Sequence, residues 1–194
     1  MRGTVSEEGF TGLEAAIVLI AFVVVAAVFS YVVLGAGFFT TQKAQETVHT
    51  GVQQASSTLE IVGNVYGLTN STSDTGAIKT INFTAALAPG GTAVDFKKVV
   101  LTYSSASAIE TLNQSTWGEV PTEAGHWAVI EVDNDVGTNN ELLESGEQFQ
   151  IVAYPTTSIQ PNDKFTIEVK PSVGAAFSVT RTAPAAFLPV NVLY

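Results

Sequence analysis

The residues with most chemical potential stand together in DNDVGTNNELLE, positions 133–144. Asp133, Asp135, Asn139, Glu141 and Glu144 occupy positions 1, 3, 7, 9 and 12 of that stretch. Calcium is bound by converging oxygens, and an EF-hand loop presents them at this spacing. The sixth position is Thr138, where an EF-hand turn needs glycine, and the flanks WAVIEV and EQFQIVAY read as strands, not helices. Two readings stand: a calcium ion held in a strand-to-strand loop, and a solvated acidic loop.

Modification is the second chemistry on offer. N-x-[ST] acceptors occur at Asn70 (NST), Asn82 (NFT) and Asn113 (NQS), three within 44 residues. They are glycan sites only if this part of the chain is exported. Asn, Ser and Thr are common here, so chance matches are expected. Asn70 and Asn113 lie in the more loop-like contexts. Catalysis has no such constellation. There is no cysteine, and the only histidines are His49 and His126, far apart in sequence. That excludes thiolate metal sites and disulfides and gives no transition-metal cluster. No glycine-rich phosphate loop or nucleophile elbow occurs, and no spacing of acids and serines points to a hydrolytic site. The expectation is a protein that is not an enzyme and requires no cofactor.

The elements that position these residues fall into two unlike halves. Net charge is −10 and the basic residues are scattered apart from Lys97-Lys98, which argues against nucleic acid as a partner. From Ala15 to Gln42 there is no charge at all, and all seven prolines lie at Pro89 or later. The stretch AAIVLIAFVVVAAVFSYVVLGAGFF exceeds the roughly 20 apolar residues that span a bilayer and is apolar on every side. Val48, Val52, Ala55, Leu59 and Val62 continue at helical spacing, so the pattern predicts one helix from Phe10 to about Gly63. It would be roughly 80 Å long, more than a bilayer requires. Ala21, Ala26, Ala27, Ser30, Gly35 and Gly37 permit close helix approach. Such a rod serves either as a membrane anchor with a stalk or as a subunit of a helical bundle.

One acid, Glu14, stands at the mouth of this rod. A cut between Gly9 and Phe10 would create an α-amine four residues before it. A carboxylate between packed apolar helices is costly unless paired. The amine of Phe10, on the same or a neighbouring subunit, is the natural partner and would fix axial register. The plainer reading is an acid in the first turns of a helix, favoured there by the macrodipole.

The segment FTGLEAAIVLIAFVVVAAVFSYVVLGAGFFTTQKAQETV resembles the N-terminal helix of archaellins, the archaeal flagellins of the type IV pilin-like superfamily. The likeness covers about residues 9 to 63. It implies a leader of residues 1–9, ending at Gly9 and removed by a membrane-embedded prepilin-type peptidase, with the hydrophobic helix retained from Phe10. Glu14 then falls at the fifth position of the cut chain, where many type IV pilins also carry Glu. The absence of a proline kink and of cysteine favours archaellin over bacterial pilin. The leader MRGTVSEEG departs from the family, because it ends in acids where basic residues are usual, and Arg2 is its only base.

From about Gly67 the chain reads as all-β. AIKTINFTAAL, KKVVLTYSS, HWAVIEV, EQFQIVAY, KFTIEVK, AAFSVTRT and FLPVNVLY are short and rich in β-branched and aromatic residues, and turn signals such as APGG and PSVG separate them. The expected fold is α+β: a leader of residues 1–9, a core helix of residues 10–63, and an immunoglobulin-like sandwich of residues 64–194. The resemblance implies a subunit held in the cytoplasmic membrane, exported by a membrane platform and polymerised with itself, or with related archaellins, into a cell-surface archaellum for swimming. N-glycosylation at the three sequons belongs to the same expectation. An adhesion pilus subunit and a bitopic membrane protein with an external binding domain are the alternatives.

Overall fold

The computed structural model describes residues 5–56, 58–69, 76–137 and 140–194, with side chains described from Gly12 onward except at 53, 55 and 56. It divides into two compact units, one up to Thr50 and one from Gly51 to Tyr194.

The first unit is helix α1, Val5–Ser56. No proline interrupts it, and four of its hydroxyls are satisfied within it. Thr40, Thr41, Thr47 and Thr50 each donate to the carbonyl four residues back, at 2.8–2.9 Å. These hydroxyls therefore make no demand on water. Lys43 and Glu46 pair at 2.6 Å on its exposed surface.

The sequence pattern carries the helix to Gly63, and the structure corrects this. The helix stops at Ser56, and Leu59–Leu68 is strand β1. Leu59 and Val65 are buried in the core of the second unit, a gain that residues on an isolated helix could not match. Gly63 has φ 79°, a left-handed conformation that breaks a helix and here creates a bulge, with the β1–β2 ladder shifting between Val62 and Tyr66.

The second unit contains β2 (Thr80–Leu87), β3 (Val94–Asp95), β4 (Val100–Ser105), β5 (Ile109–Gln114), β6 (His126–Asp133), β7 (Leu142–Leu143), β8 (Gln148–Tyr154), β9 (Lys164–Lys170), β10 (Phe177–Thr182) and β11 (Val190–Leu193). Each of the seven stretches read as strands from the sequence contains one. The strand order β10-β9-β4-β5-β6-β8-β2-β1-β11 comprises two antiparallel sheets joined by a short parallel contact of β5 with β6, Asn113 opposite His126 and Gln114 opposite Trp127. At the far margins the end strands meet, as Thr182 and Tyr194 exchange backbone hydrogen bonds of 2.5 and 3.2 Å. Both sheets turn apolar residues onto one core, with Phe83, Phe149 and Ile151 from one and Leu101, Tyr103, Phe165 and Ile167 from the other. Phe149 anchors an aromatic cluster, edge-on to Phe96 at 4.9 Å and to Trp117 at 5.2 Å. Gly67 is required by packing: a Cβ there would stand 2.7 Å from Ile78 Cδ1 and 3.2 Å from Leu193 Cδ2.

Candidate assembly helix, modification sites and acidic loop

The largest functional feature is the surface of α1. From Gly12 to Val52 the helix is long and apolar enough to cross a membrane, and its richest window has mean hydropathy 3.0. Between Leu13 and Phe39, seventeen large apolar side chains are each 52–80% exposed. Each is worth about 1.5–3 kcal/mol when removed from water, so this surface requires lipid or other helices around it. Ile17, Val18, Leu19 and Ile20 follow one another at about 100° around the helix and are all exposed, leaving no face suited to solvent. Gly35 and Gly37 have open space at their Cβ positions, where a second backbone could approach. Glu14 is exposed at the start of this surface. Gly9 and Phe10 are helical in backbone, with side chains outside the described residues.

The sequons divide differently from expectation. Asn113 lies in β5, not in a loop. It is exposed near the strand's end, and its N–H donates to Gly125 O at 2.9 Å. Asn82 lies mid-strand in β2, half-buried, between Tyr66 of β1 and Val152 of β8. Asn70 lies outside the described residues.

The acidic loop brings two of its carboxylates near one point: Glu144 Oε2 and Asp135 Oδ1 stand 3.3 and 3.9 Å from where a Cβ of Gly137 would lie. Among the described residues, no three acidic or histidine side chains come together as a metal site would need. Asp133 accepts from Gln150 Nε2 at 3.2 Å, and Asp135 Oδ1 accepts the Gly137 N–H at 2.9 Å. Glu141 lies 3.5 Å from Lys97 Nζ. Glu144 contributes its backbone N–H, and Asn139 is outside the described residues. These acids thus serve side chains and amides of the protein, and the calcium reading stands as an expectation.

The residue that organises the loop is Glu147, which the sequence reading did not single out. It is 3% exposed, and its two oxygens accept the N–H of Val136 at 3.0 Å and of Glu144 at 2.9 Å. A signal was present: in EQFQIVAY it shares the parity of Phe149 and Ile151, so strand alternation turns it inward. Asn191 plays a similar part in β11. Its Oδ1 accepts the Leu188 N–H at 2.8 Å, and its Nδ2 donates to Leu188 O at 2.6 Å and Gly67 O at 3.3 Å, tying β11 to β1. Elsewhere, Lys98 at 2.7 Å holds the Asp95 carboxyl below its usual range, and burial pushes the Tyr103 phenol up. His126 Nδ1 lies 3.3 Å from the Ala124 carbonyl, and among the described residues the ring joins no group that could hold a metal.

Comparison with known proteins follows this geometry. The family model for archaeal-type flagellin matches residues 9–181. A probable flagellin of Archaeoglobus fulgidus is 42% identical over 201 aligned positions, covering 100% of this chain and 98% of that one. A 24 kDa flagellin sequence from Methanospirillum hungatei is 91% identical over 32 residues, 16% of this chain and 100% of that sequence. The solved archaeal flagellum of Methanospirillum hungatei matches with a TM-score of 0.71 at 36% identity, covering 94% of this chain and 99% of that one.

Proposed function

The chain belongs to the archaeal-type flagellin family, and from that premise we infer that it is a structural subunit polymerising into the filament of the archaeal flagellum, for motility. The observation that carries this is the span Gly12–Val52, apolar on every side, attached to a β domain whose own core is complete. Such a helix exchanges lipid for neighbouring helices at little cost, because the two surroundings are alike. Copies therefore wait in the cytoplasmic membrane and leave it for the filament. Assembly is heterologous and non-closing, head to tail along a helical path. The filament is extracellular, and its outer layer is formed by the β domains. The family is one of structural filament proteins, and no catalytic role is proposed.

Three finer steps complete the reading. A prepilin-type peptidase removes residues 1–9 between Gly9 and Phe10, and a membrane export platform receives the product. The new amine of Phe10 pairs with Glu14 of the same or a neighbouring subunit and sets axial register, since an unpaired carboxylate between apolar helices is costly. The sequons Asn70, Asn82 and Asn113 are then the places where exported subunits can carry glycans, and related archaellins can share the polymer. The supporting features are the apolar onset after Phe10 and the position of Glu14 at the mouth of the apolar span.

The test is the N-terminal residue and intact mass of the protein in filaments sheared from its own cells. Phe10 at the start, with extra mass on sequon peptides, is the expected result. Met1 retained on protein found only in membranes would refute the filament reading.

A further inference from the structure

The outward positions of β9 and β10 are polar or charged, while β4 and β5 of the same sheet expose single apolar residues, Val100 and Ile109. Thr166 lies opposite Thr180, with their hydroxyls 2.8 Å apart, and Glu168 lies opposite Ser178. On the other sheet, the margin formed by β1 and β11 turns apolar side chains outward. Asn191 and Leu193 are buried, and Val190 and Val192, alternating with them, are 55% and 37% exposed. Tyr66, directly opposite Val192, is 38% exposed, and Leu68 lies opposite Val190. Val62, before the Gly63 bulge, is exposed opposite Thr84. The outward positions of the adjoining strand β2 add Thr80, Asn82 and Thr84, none of them charged.

We propose that this β1–β11 strip is the surface through which the β domain docks on a second copy of the same chain in the filament, an inference that rests on the filament reading above. Two observations select that occupant. The strip follows the polymer-forming element directly along the chain, because β1 opens at Leu59, three residues after α1 ends at Ser56. Where β1 pairs with β11, from Val65 to Leu68, it is also uncharged, on a chain of net charge −10, and the one acid of β1, Glu60, is exposed at the other end of the strand. Like-charged copies repel over acidic surface and can approach closely only where charge is absent. An exposed apolar strip of paired strands adds nothing to a core that is already closed, and such patches mark contact sites. Asn82 shares this face beside Tyr66, so a glycan there would occupy the same ground. Docking therefore leaves Asn82 unmodified in the filament and narrows the glycan sites proposed above to Asn70 and Asn113, the latter in β5 of the other sheet.

The absence of cysteine makes the test direct. Full-length Val190→Cys and Tyr66→Cys variants are labelled with a polar maleimide in intact filaments and in detergent-dissociated subunits, with Thr180→Cys as control. The expected result is labelling at least tenfold slower in filaments for the two strip positions and little change for Thr180→Cys. Unhindered labelling of the strip in intact filaments overturns the proposal, as does equal protection of Thr180→Cys. Protection that persists after dissociation, with sugar mass on the Asn82 peptide, also overturns it and makes the glycan the cover. If the cysteine variants do not assemble, Val190→Glu is compared with Thr180→Glu: loss of filaments in the first alone supports the strip, and normal filaments in the first refute it. A wild-type chain that forms no filaments removes the filament reading and this surface together, whereas filaments that label freely remove only the surface.

Discussion

Replacing Glu147 by alanine leaves the part-buried amides of Val136 and Glu144 without their acceptor. A hydrogen bond to a charged group contributes about 1.5–3 kcal/mol, and an orphaned buried donor costs about 1–3 kcal/mol. Part of this is returned, because the carboxylate itself was desolvated when it was buried. The net cost expected for Glu147→Ala is about 2–4 kcal/mol. A β domain of this size loses roughly 2–4 °C of melting temperature per kcal/mol, so the shift is on the order of 5–15 °C. Glu147→Gln retains one acceptor oxygen and turns an amide donor towards the other N–H, so it falls between wild type and alanine. The assay is thermal unfolding of full-length protein in detergent, followed by tryptophan fluorescence. Trp117 packs on Phe149, two residues beyond Glu147, and Trp127 is buried in the same core. A Glu147→Ala melting temperature within about 2 °C of wild type would refute this account of the loop. So would a comparable rise on adding millimolar calcium to wild type, because the loop would then be held by metal in place of its own amides.

Two further perturbations probe the helix and the core. Val28→Lys puts an ammonium at the middle of the apolar span, costing about 2.5–3.5 kcal/mol in a bilayer centre and leaving an unpaired charge among packed helices. Electron microscopy of cell surfaces should show no filaments, Val28→Ile should retain them, and wild-type filament numbers for Val28→Lys would contradict the role of α1. The Tyr103 phenol is buried and its ionisation is pushed upward, so the stability it contributes is complete below the unfolded value near pH 10 and is lost as pH rises through the higher folded value. Ultraviolet titration should show Tyr103 ionising only with unfolding, and Tyr103→Phe should flatten the alkaline loss; an unchanged alkaline limb in that variant would count against it.

The sequence was most informative where one physical term dominates. Twenty-eight residues without charge, Ala15 to Gln42, leave a helix in apolar surroundings as the natural outcome, and α1 spans all of them. Alternation placed the inward faces of β8 and β9, where Phe149, Ile151, Phe165 and Ile167 are buried. Legibility failed where two terms compete. Leu59 and Val62, three apart, share a face on a helix but point to opposite faces on a strand, and burial of Leu59 and Val65 against the sandwich decides for the strand. Strand β5 was hidden because ETLNQ is polar on one face and pairs weakly with β6, through two residues. The acidic loop was only partly legible because spacing along the chain does not fix where side chains converge. Asp133, Asp135 and Glu141 each meet a partner within the protein, and the residue that orders the loop lies beyond it, at Glu147.

These features also explain why polymerisation should run through the helix and not through the sheets. An open sheet edge is a template for adding another chain's strand. Here the two end strands of the sandwich are pinned to each other at Thr182 and Tyr194, and β5 and β6 close the other seam. Lys164, Lys170 and Arg181 add charge on the outermost pair, β9 and β10, which further discourages strand addition. The domain has thus suppressed β-type assembly while α1 leaves seventeen large apolar side chains uncovered between Leu13 and Phe39. A domain that cannot add strands, joined to a helix that cannot stay in water, makes helix packing the principal route to assembly. The apolar strip on β1 and β11 then acts by side-chain contact alone, fixing how neighbouring domains meet without extending either sheet.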